Sequence, residues 1–273
     1  MNNFLTSSEI TAALIDTGMK KASRPLGKML VLSVLAGAYI GLAAHFATVA
    51  GWGEVPWIGA RKLLMGAAFS LGLMLVMIPG AELFTGNSLM VIPLMNRRIS
   101  LSGMLRNWVL VYLGNFAGGL AVAAWIIYGT GLVSGSLAEW AVSIAAGKTA
   151  LTGAEVFFRG IGANWLVCLA VMMGMASRDL AGRILGIFFP IMAFVAMGFE
   201  HSIANMYFLP AGLMLLTQPE NAVMAELLGQ GLTVGASLIN LFWATLGNIV
   251  GGSLFTGMAY WYLEAPRREE RQP

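Results

Sequence analysis

The chain has 273 residues, of which 58% are hydrophobic and 11% charged, and a formal net charge of +3. A soluble domain carries about 25% charged residues, so this composition excludes a soluble enzyme or binding module and describes an all-α integral membrane protein. Its single cysteine, Cys168, excludes an internal disulfide, and basic residues gathered at the ends of apolar runs read as a topology signal and not as a surface for nucleic acid.

Residues 7–19 come first, with Ile10, Ala13 and Leu14 at helical spacing, which predicts a cytoplasmic amphipathic helix at the interface within residues 1–28. No cleavable signal peptide is expected, because the N-terminus lacks a short apolar core followed by small residues. Apolar runs long enough to cross the hydrocarbon core follow near residues 29–50, 63–80, 106–128, 155–176, 183–198 and 234–261. Two are interrupted. The second meets Pro79, Gly80, Glu82 and Thr85 before the apolar run resumes at Leu89, and the fifth meets Gly198, Glu200 and His201 before it resumes at Met206. Unwound backbone at membrane depth is tolerated only where protein or a water-lined cavity surrounds it.

Loop charges predict the orientation. Lys20, Lys21, Arg24 and Lys28 precede the first span, Arg97, Arg98 and Arg106 follow the second, Arg178 and Arg183 follow the fourth, and Arg267, Arg268 and Arg271 close the chain. With six passes these fall on one side, so both termini are expected in the cytoplasm of a bacterial or archaeal cell, while Arg61, Lys62, Lys148 and Arg159 face outward.

The two halves repeat. Asn107 and Asn115 are matched by Asn240 and Asn248, each pair followed by Gly-Gly, and Glu82 and Asn87 are matched by Glu200 and Asn205. Three spans per copy is an odd number, which predicts an inverted repeat with broken second and fifth helices and a solute path at the repeat interface. The expected organisation is one channel domain over residues 1–273: a first repeat at 29–128, a periplasmic connection at 129–153, a second repeat at 154–262 and a cytoplasmic tail at 263–273.

Within that frame His201 is the histidine placed at a helix break, beside a carboxylate at membrane depth, where an ionisable group marks a solute or proton path. The plainer reading is a buried neutral ring holding the loop, with Glu200 as loop support. Thr85 occupies the matching break, where its hydroxyl and free backbone amides would meet a passing anion, and Lys148 would draw anions toward the pore. His45 reads as interfacial and Gly114 to Gly119 as helix packing. No metal, nucleotide or nucleophile motif is present, so neither a cofactor nor an enzymatic activity is expected.

Over nearly the whole chain these motifs resemble the formate/nitrite transporter family: Ala81 to Asn87, Asn107 to Gly119, Gly160 to Leu169, Gly198 to Met206, and Thr245 to Gly252. The resemblance implies an aquaporin-like six-span bundle, a homopentamer with a pore in each protomer, and transport of a small monovalent anion such as formate, nitrite, hydrosulfide, acetate or lactate. It places Leu73, Leu83 and Val167 at a cytoplasmic constriction and Phe69 and Phe194 at a periplasmic one. It puts Thr85, Asn164, His201, Glu200 and Asn205 among the central polar residues and Lys148 at the outer vestibule. Gly86 and Asn87 stand where formate channels carry a more hydroxyl-rich pair. The expected function is transport of a weak-acid anion, formate first, with protonation aided by His201. Direct passage of the anion is the alternative within the family, and a neutral-solute pore is the alternative outside it. That last class depends on Asn-Pro-Ala motifs, which this sequence lacks.

Overall fold

A computed structural model describes residues 4–221 and 231–264, and the expected tail arginines Arg267, Arg268 and Arg271 lie outside them. The regular elements of the described residues are helical: α1 (Ser7–Ala22), α2 (Leu26–Gly51), α3 (Ile58–Met77), α4 (Phe84–Asn87), α5 (Val91–Met95), α6 (Leu101–Ala124), α7 (Gly135–Thr149), α8 (Gly153–Ala176), α9 (Leu180–Ala196), α10 (Ser202–Leu216), α11 (Val234–Val250) and α12 (Ala259–Glu264). Single 3-10 turns join α4 to α5 and follow α10, while π-helical turns extend α6 over Trp125–Gly129 and join α11 to α12 over Gly251–Met258. Among the described residues five helices are long and apolar enough to cross a membrane, namely α2, α3, α6 with its extension, α8, and α11 continuous with α12. The fifth expected span is divided between α9 and α10, with 17 and 15 residues.

The helix starts follow from local chemistry. Thr6 and Thr152 each accept a hydrogen bond from the backbone three residues on, while Glu9 and Glu155 reach back, so α1 and α8 both open with a capping box. Ser100, Asp179 and Thr233 cap α6, α9 and α11 in the simpler way. The backbone and hydroxyl of Thr6 hold the Glu9 carboxyl below the usual carboxylate range.

Two expectations change here. The apolar face of α1 is covered by protein, since Ile10, Leu14 and Ile15 are buried in one cluster with Leu89, Ile92 and Met172. Residues 129–153, expected as a connection, contain the regular helix α7, which buries Leu137, Ala138, Val142 and Ala145. Glycines then bring the long helices into backbone contact: a Cβ at Gly118 would strike the carbonyl of Val34, and one at Gly251 the carbonyl of Ile161. Without a hydrophobic drive between helices in lipid, such close approach is what holds a bundle together.

Candidate functional site

Both broken spans are built by the same rules. After α3 the chain turns at Gly80 (φ 89°), and after α9 it turns at Gly198 (φ 76°), both in the left-handed region that suits glycine. Each turn is closed by an equivalent backbone bond, Ala81 N–H to Val76 C=O at 2.8 Å and Phe199 N–H to Phe194 C=O at 3.1 Å. The chain then runs extended through Leu83 and His201 before the half-helices α4 and α10 begin.

A single asparagine pins each half-helix. Asn115 of α6 accepts the Phe84 N–H at 2.9 Å and donates to the carbonyls of Ser33 at 2.7 Å and Glu82 at 2.9 Å. Asn248 of α11 accepts the Ser202 N–H at 2.8 Å and donates to the carbonyls of Gly160 at 2.8 Å and Glu200 at 2.9 Å. The first amide of each half-helix is therefore already bonded. The Phe84 N–H is thus not among the free amides expected around Thr85.

Beneath each pin lies a buried carboxylate. Asn87 donates to Glu82 Oε2 at 2.7 Å and to Asn107 Oδ1 at 2.8 Å, and Lys21 Nζ lies 3.1 Å from the same carboxylate oxygen. In the other half Asn205 donates to Glu200 Oε2 at 2.6 Å and to Asn240 Oδ1 at 2.7 Å, while Lys148 Nζ lies 2.9 Å from Glu200 Oε1. Even the return contacts match, with Asn107 donating to Lys21 C=O and Asn240 to Lys148 C=O. Paired and hydrogen-bonded, both carboxylates avoid the cost of an isolated buried charge.

The halves differ where the two breaks meet. His201 stands at the position of Leu83. Its Nδ1 accepts the Ala204 N–H at 3.1 Å, and its Nε2 lies 2.9 Å from Thr85 Oγ1. Because Nδ1 accepts, a neutral ring carries its proton on Nε2 and donates it to Thr85. Asn164 likewise has no counterpart in the first half. It donates to the carbonyls of Thr85 at 3.2 Å and Asn248 at 2.7 Å and so ties the half-helix α4 to α11.

Three cavities share lining residues at this centre. One of about 300 Å³ is lined by Lys21, Arg24, Glu82 and Asn87 and reaches Leu73 and Leu83. One of about 130 Å³ is lined by Lys148, Glu200, Asn205 and His201 and reaches Phe69 and Phe194. Between them, a cavity of about 10 Å³ is enclosed by Ile40, Phe69, Leu73, Leu83, Val167, Ile191, Phe194 and His201. That volume has room for about one water. Phe69 and Phe194 meet edge to face with centroids 5.8 Å apart, and the Phe194 ring leans on His201 at 5.7 Å.

The structure thus gathers Phe69, Leu73, Leu83, Val167, Phe194 and His201 around one point. It sets Lys148, Glu200 and Asn205 in one vestibule and keeps Thr85 and Asn164 just behind the wall, fully buried. His45, read as interfacial, is partly buried with Nδ1 3.0 Å from the Tyr207 hydroxyl. The sequence reading used Lys21 only as a loop charge and the two pins, Asn115 and Asn248, only as marks of the repeat, and assigned none of them to the site. A constant offset carries the signal for Lys21: 148 − 21 = 127, and the same 127 relates Ser33 to Gly160 and Val34 to Ile161.

A profile of the formate/nitrite transporter family matches residues 8–262. The chain is 41% identical over 283 residues to a probable formate transporter of Methanothermobacter thermautotrophicus, covering 96% of this chain and 97% of that protein. It is 35% identical over 259 residues to the formate channel FocA of Escherichia coli (strain K12), covering 91% and 90%. Among solved structures, a pentameric formate channel with formate bound matches with a TM-score of 0.78 at 35% identity, over 89% of this chain and 98% of that one.

Proposed function

The chain belongs to the formate/nitrite transporter family, and from that premise we propose that each protomer passes a small monovalent weak-acid anion, formate first, between the two vestibules. Nitrite and hydrosulfide are the alternative cargoes. The pentameric relative supports a homopentamer with one pore per protomer. The matched hydrogen bonds of the two halves support an inverted repeat, and the basic loop residues support placing Lys21 on the cytoplasmic side and Lys148 on the outer side.

The observation that carries the reading is a narrow apolar centre with one polar side chain, flanked on each side by a lysine–carboxylate pair. Burying an isolated anion costs tens of kcal/mol before relaxation, whereas a hydrogen bond to a charged group returns about 1.5–3 kcal/mol. The His201 N–H cannot offset that deficit, so the anion crosses the centre as its neutral acid. The anion enters the vestibules beside the two lysine–carboxylate pairs, where water supplies the proton. His201, capped at Nδ1 and donating from Nε2, serves as the acid's hydrogen-bond partner. For the ring to hand over a proton of its own it must first carry one on Nδ1, where it meets the Ala204 N–H, so a proton relay requires the ring to leave its cap.

Formate flux into liposomes, measured against pH, tests this. Wild-type flux is expected to rise as the pH falls, and His201→Gln is expected to keep that profile at a lower maximal rate. Absence of formate flux in the wild type overturns the reading, and a profile displaced in His201→Gln shows instead that the ring itself titrates during transport.

A further inference from the structure

The two carboxylate clusters carry unequal charge. Under the offset that relates Lys21 to Lys148, position 24 corresponds to position 151, since 24 + 127 = 151, and there Arg24 is matched by Leu151. Arg24 lines the larger vestibule, with Nη1 3.1 Å from Glu82 Oε1, so both oxygens of that carboxylate face a cation. Lys21 is held a second time, by Asn87 Oδ1 at 2.6 Å. Glu82, Lys21 and Arg24 together sum to one positive charge. In the other vestibule Glu200 and Lys148 cancel, and the Arg159 side chain turns to Glu155, at 4.0 Å. Asn205 Oδ1, the counterpart of the atom that holds Lys21, is buried without a partner.

We propose that Arg24 sets the sidedness of the pore: the surplus charge it gives the Lys21 vestibule lets monovalent anions saturate transport from that face at a lower concentration than from the Lys148 face. This rests on the anion-transport reading above. A passive pore does no net work, so maximal flux divided by half-saturating concentration is the same in both directions. The face with the lower half-saturating concentration therefore also has the lower maximal flux. Arg24 acts through the field at the vestibule mouth and touches neither the central cavity nor His201. One unpaired charge in a cleft raises the local anion concentration roughly three- to tenfold at low ionic strength, and salt screens most of that gain.

The test uses the full-length protein in liposomes at one oligomer per vesicle. Vesicles are separated by capture on an N-terminal tag into those exposing the Lys21 face and those exposing the Lys148 face. Formate uptake into empty vesicles, at equal pH on both sides, gives a half-saturating concentration for each face. In the wild type the Lys148 face is expected to need roughly three- to tenfold more formate, with the difference shrinking as an impermeant salt is added. Arg24→Gln brings the two faces together, Arg24→Lys preserves the difference, and Leu151→Arg lowers the value at the Lys148 face without touching the Glu82 cluster. Equal values in the wild type, or a difference unaltered in Arg24→Gln, overturns the proposal. If Arg24→Gln fails to assemble, an unshifted value in Leu151→Arg overturns it. Wild-type vesicles with no formate flux from either face overturn the transport reading itself, a result distinct from flux that is symmetric.

Discussion

Replacing Lys148 by Met removes the ammonium group, which lies 5.3 Å from the centroid of the Phe208 ring, while keeping most of the aliphatic stem. Glu200 then retains one strong partner, Asn205 at 2.6 Å, and its side chain is only 5% exposed. At the 2.9 Å separation of the pair, the gross attraction is about 6 kcal/mol for an effective dielectric constant of about 20. Much of that is offset by desolvation, but removing one member of a buried pair leaves the other uncompensated and costs about 3–5 kcal/mol. Glu200→Gln costs less, about 1–2 kcal/mol, because the amide still meets Asn205 and the lysine tip reaches water. The double variant Lys148→Met/Glu200→Gln has no orphan charge and lies within about 2 kcal/mol of wild type, a coupling of at least about 2 kcal/mol. The assay is the first-order loss of assembled protein in detergent at fixed temperature, followed by size exclusion. Lys148→Met shortens the half-life at least about tenfold, which is 1.4 kcal/mol in the barrier, and the second substitution restores most of it. A single variant as durable as wild type, or a double variant less durable than Lys148→Met, refutes the assignment of the pair as a buried structural ion pair.

The pins give a second expectation. Asn248→Ala strands the Ser202 N–H and two carbonyls, each worth about 1–3 kcal/mol when buried without a partner, so assembled protein is lost on heating well before wild type. Asn248→Asp does not rescue it, because a carboxylate cannot donate to Gly160 and Glu200. Gly198→Ala forces a side chain into the left-handed region and lowers stability by about 1–2 kcal/mol, whereas Gly27→Ala, in a helix with open space around it, leaves thermal durability unchanged or raises it. Thr85→Val keeps the shape and removes the acceptor of the His201 N–H. Liposome flux is expected to fall several-fold with the oligomer intact, and undiminished flux would show that the His201–Thr85 bond is dispensable.

Both helix breaks were legible because their causes are local. Pro79, Gly80 and Gly198 announce the turns, and Glu82 and Glu200 are too costly at membrane depth to be placed without purpose. The asparagine spacing was legible too, since Asn107 and Asn115 sit two helical turns apart on one face, as Asn240 and Asn248 do. What escaped was the physical use of those spacings. In each pair one asparagine holds the neighbouring Asn87 or Asn205 that bonds the carboxylate and the other pins a half-helix, and only three-dimensional contact distinguishes the two tasks. Lys21 escaped for a different reason. It sits at the end of α1 and Lys148 at the end of α7, and these helices share little sequence beyond that lysine, so the apolar spans alone do not pair the two. Asn164 was expected among the central polar residues on family resemblance. Its amide in fact spends its donors on Thr85, Ser88 and Asn248 behind the wall.

The central cavity of about 10 Å³ has a bioenergetic consequence. A file of waters relays protons by hopping, and it needs an unbroken line from one side of the membrane to the other. A chamber that admits about one water, ringed by phenylalanine, leucine, isoleucine and valine with His201 as its one polar side chain, breaks that line in the middle. Under the transport reading, a proton crosses this protein only while bound to its cargo, one molecule at a time. A pore permanently open to the weak acid would then not discharge the gradient that powers the cell.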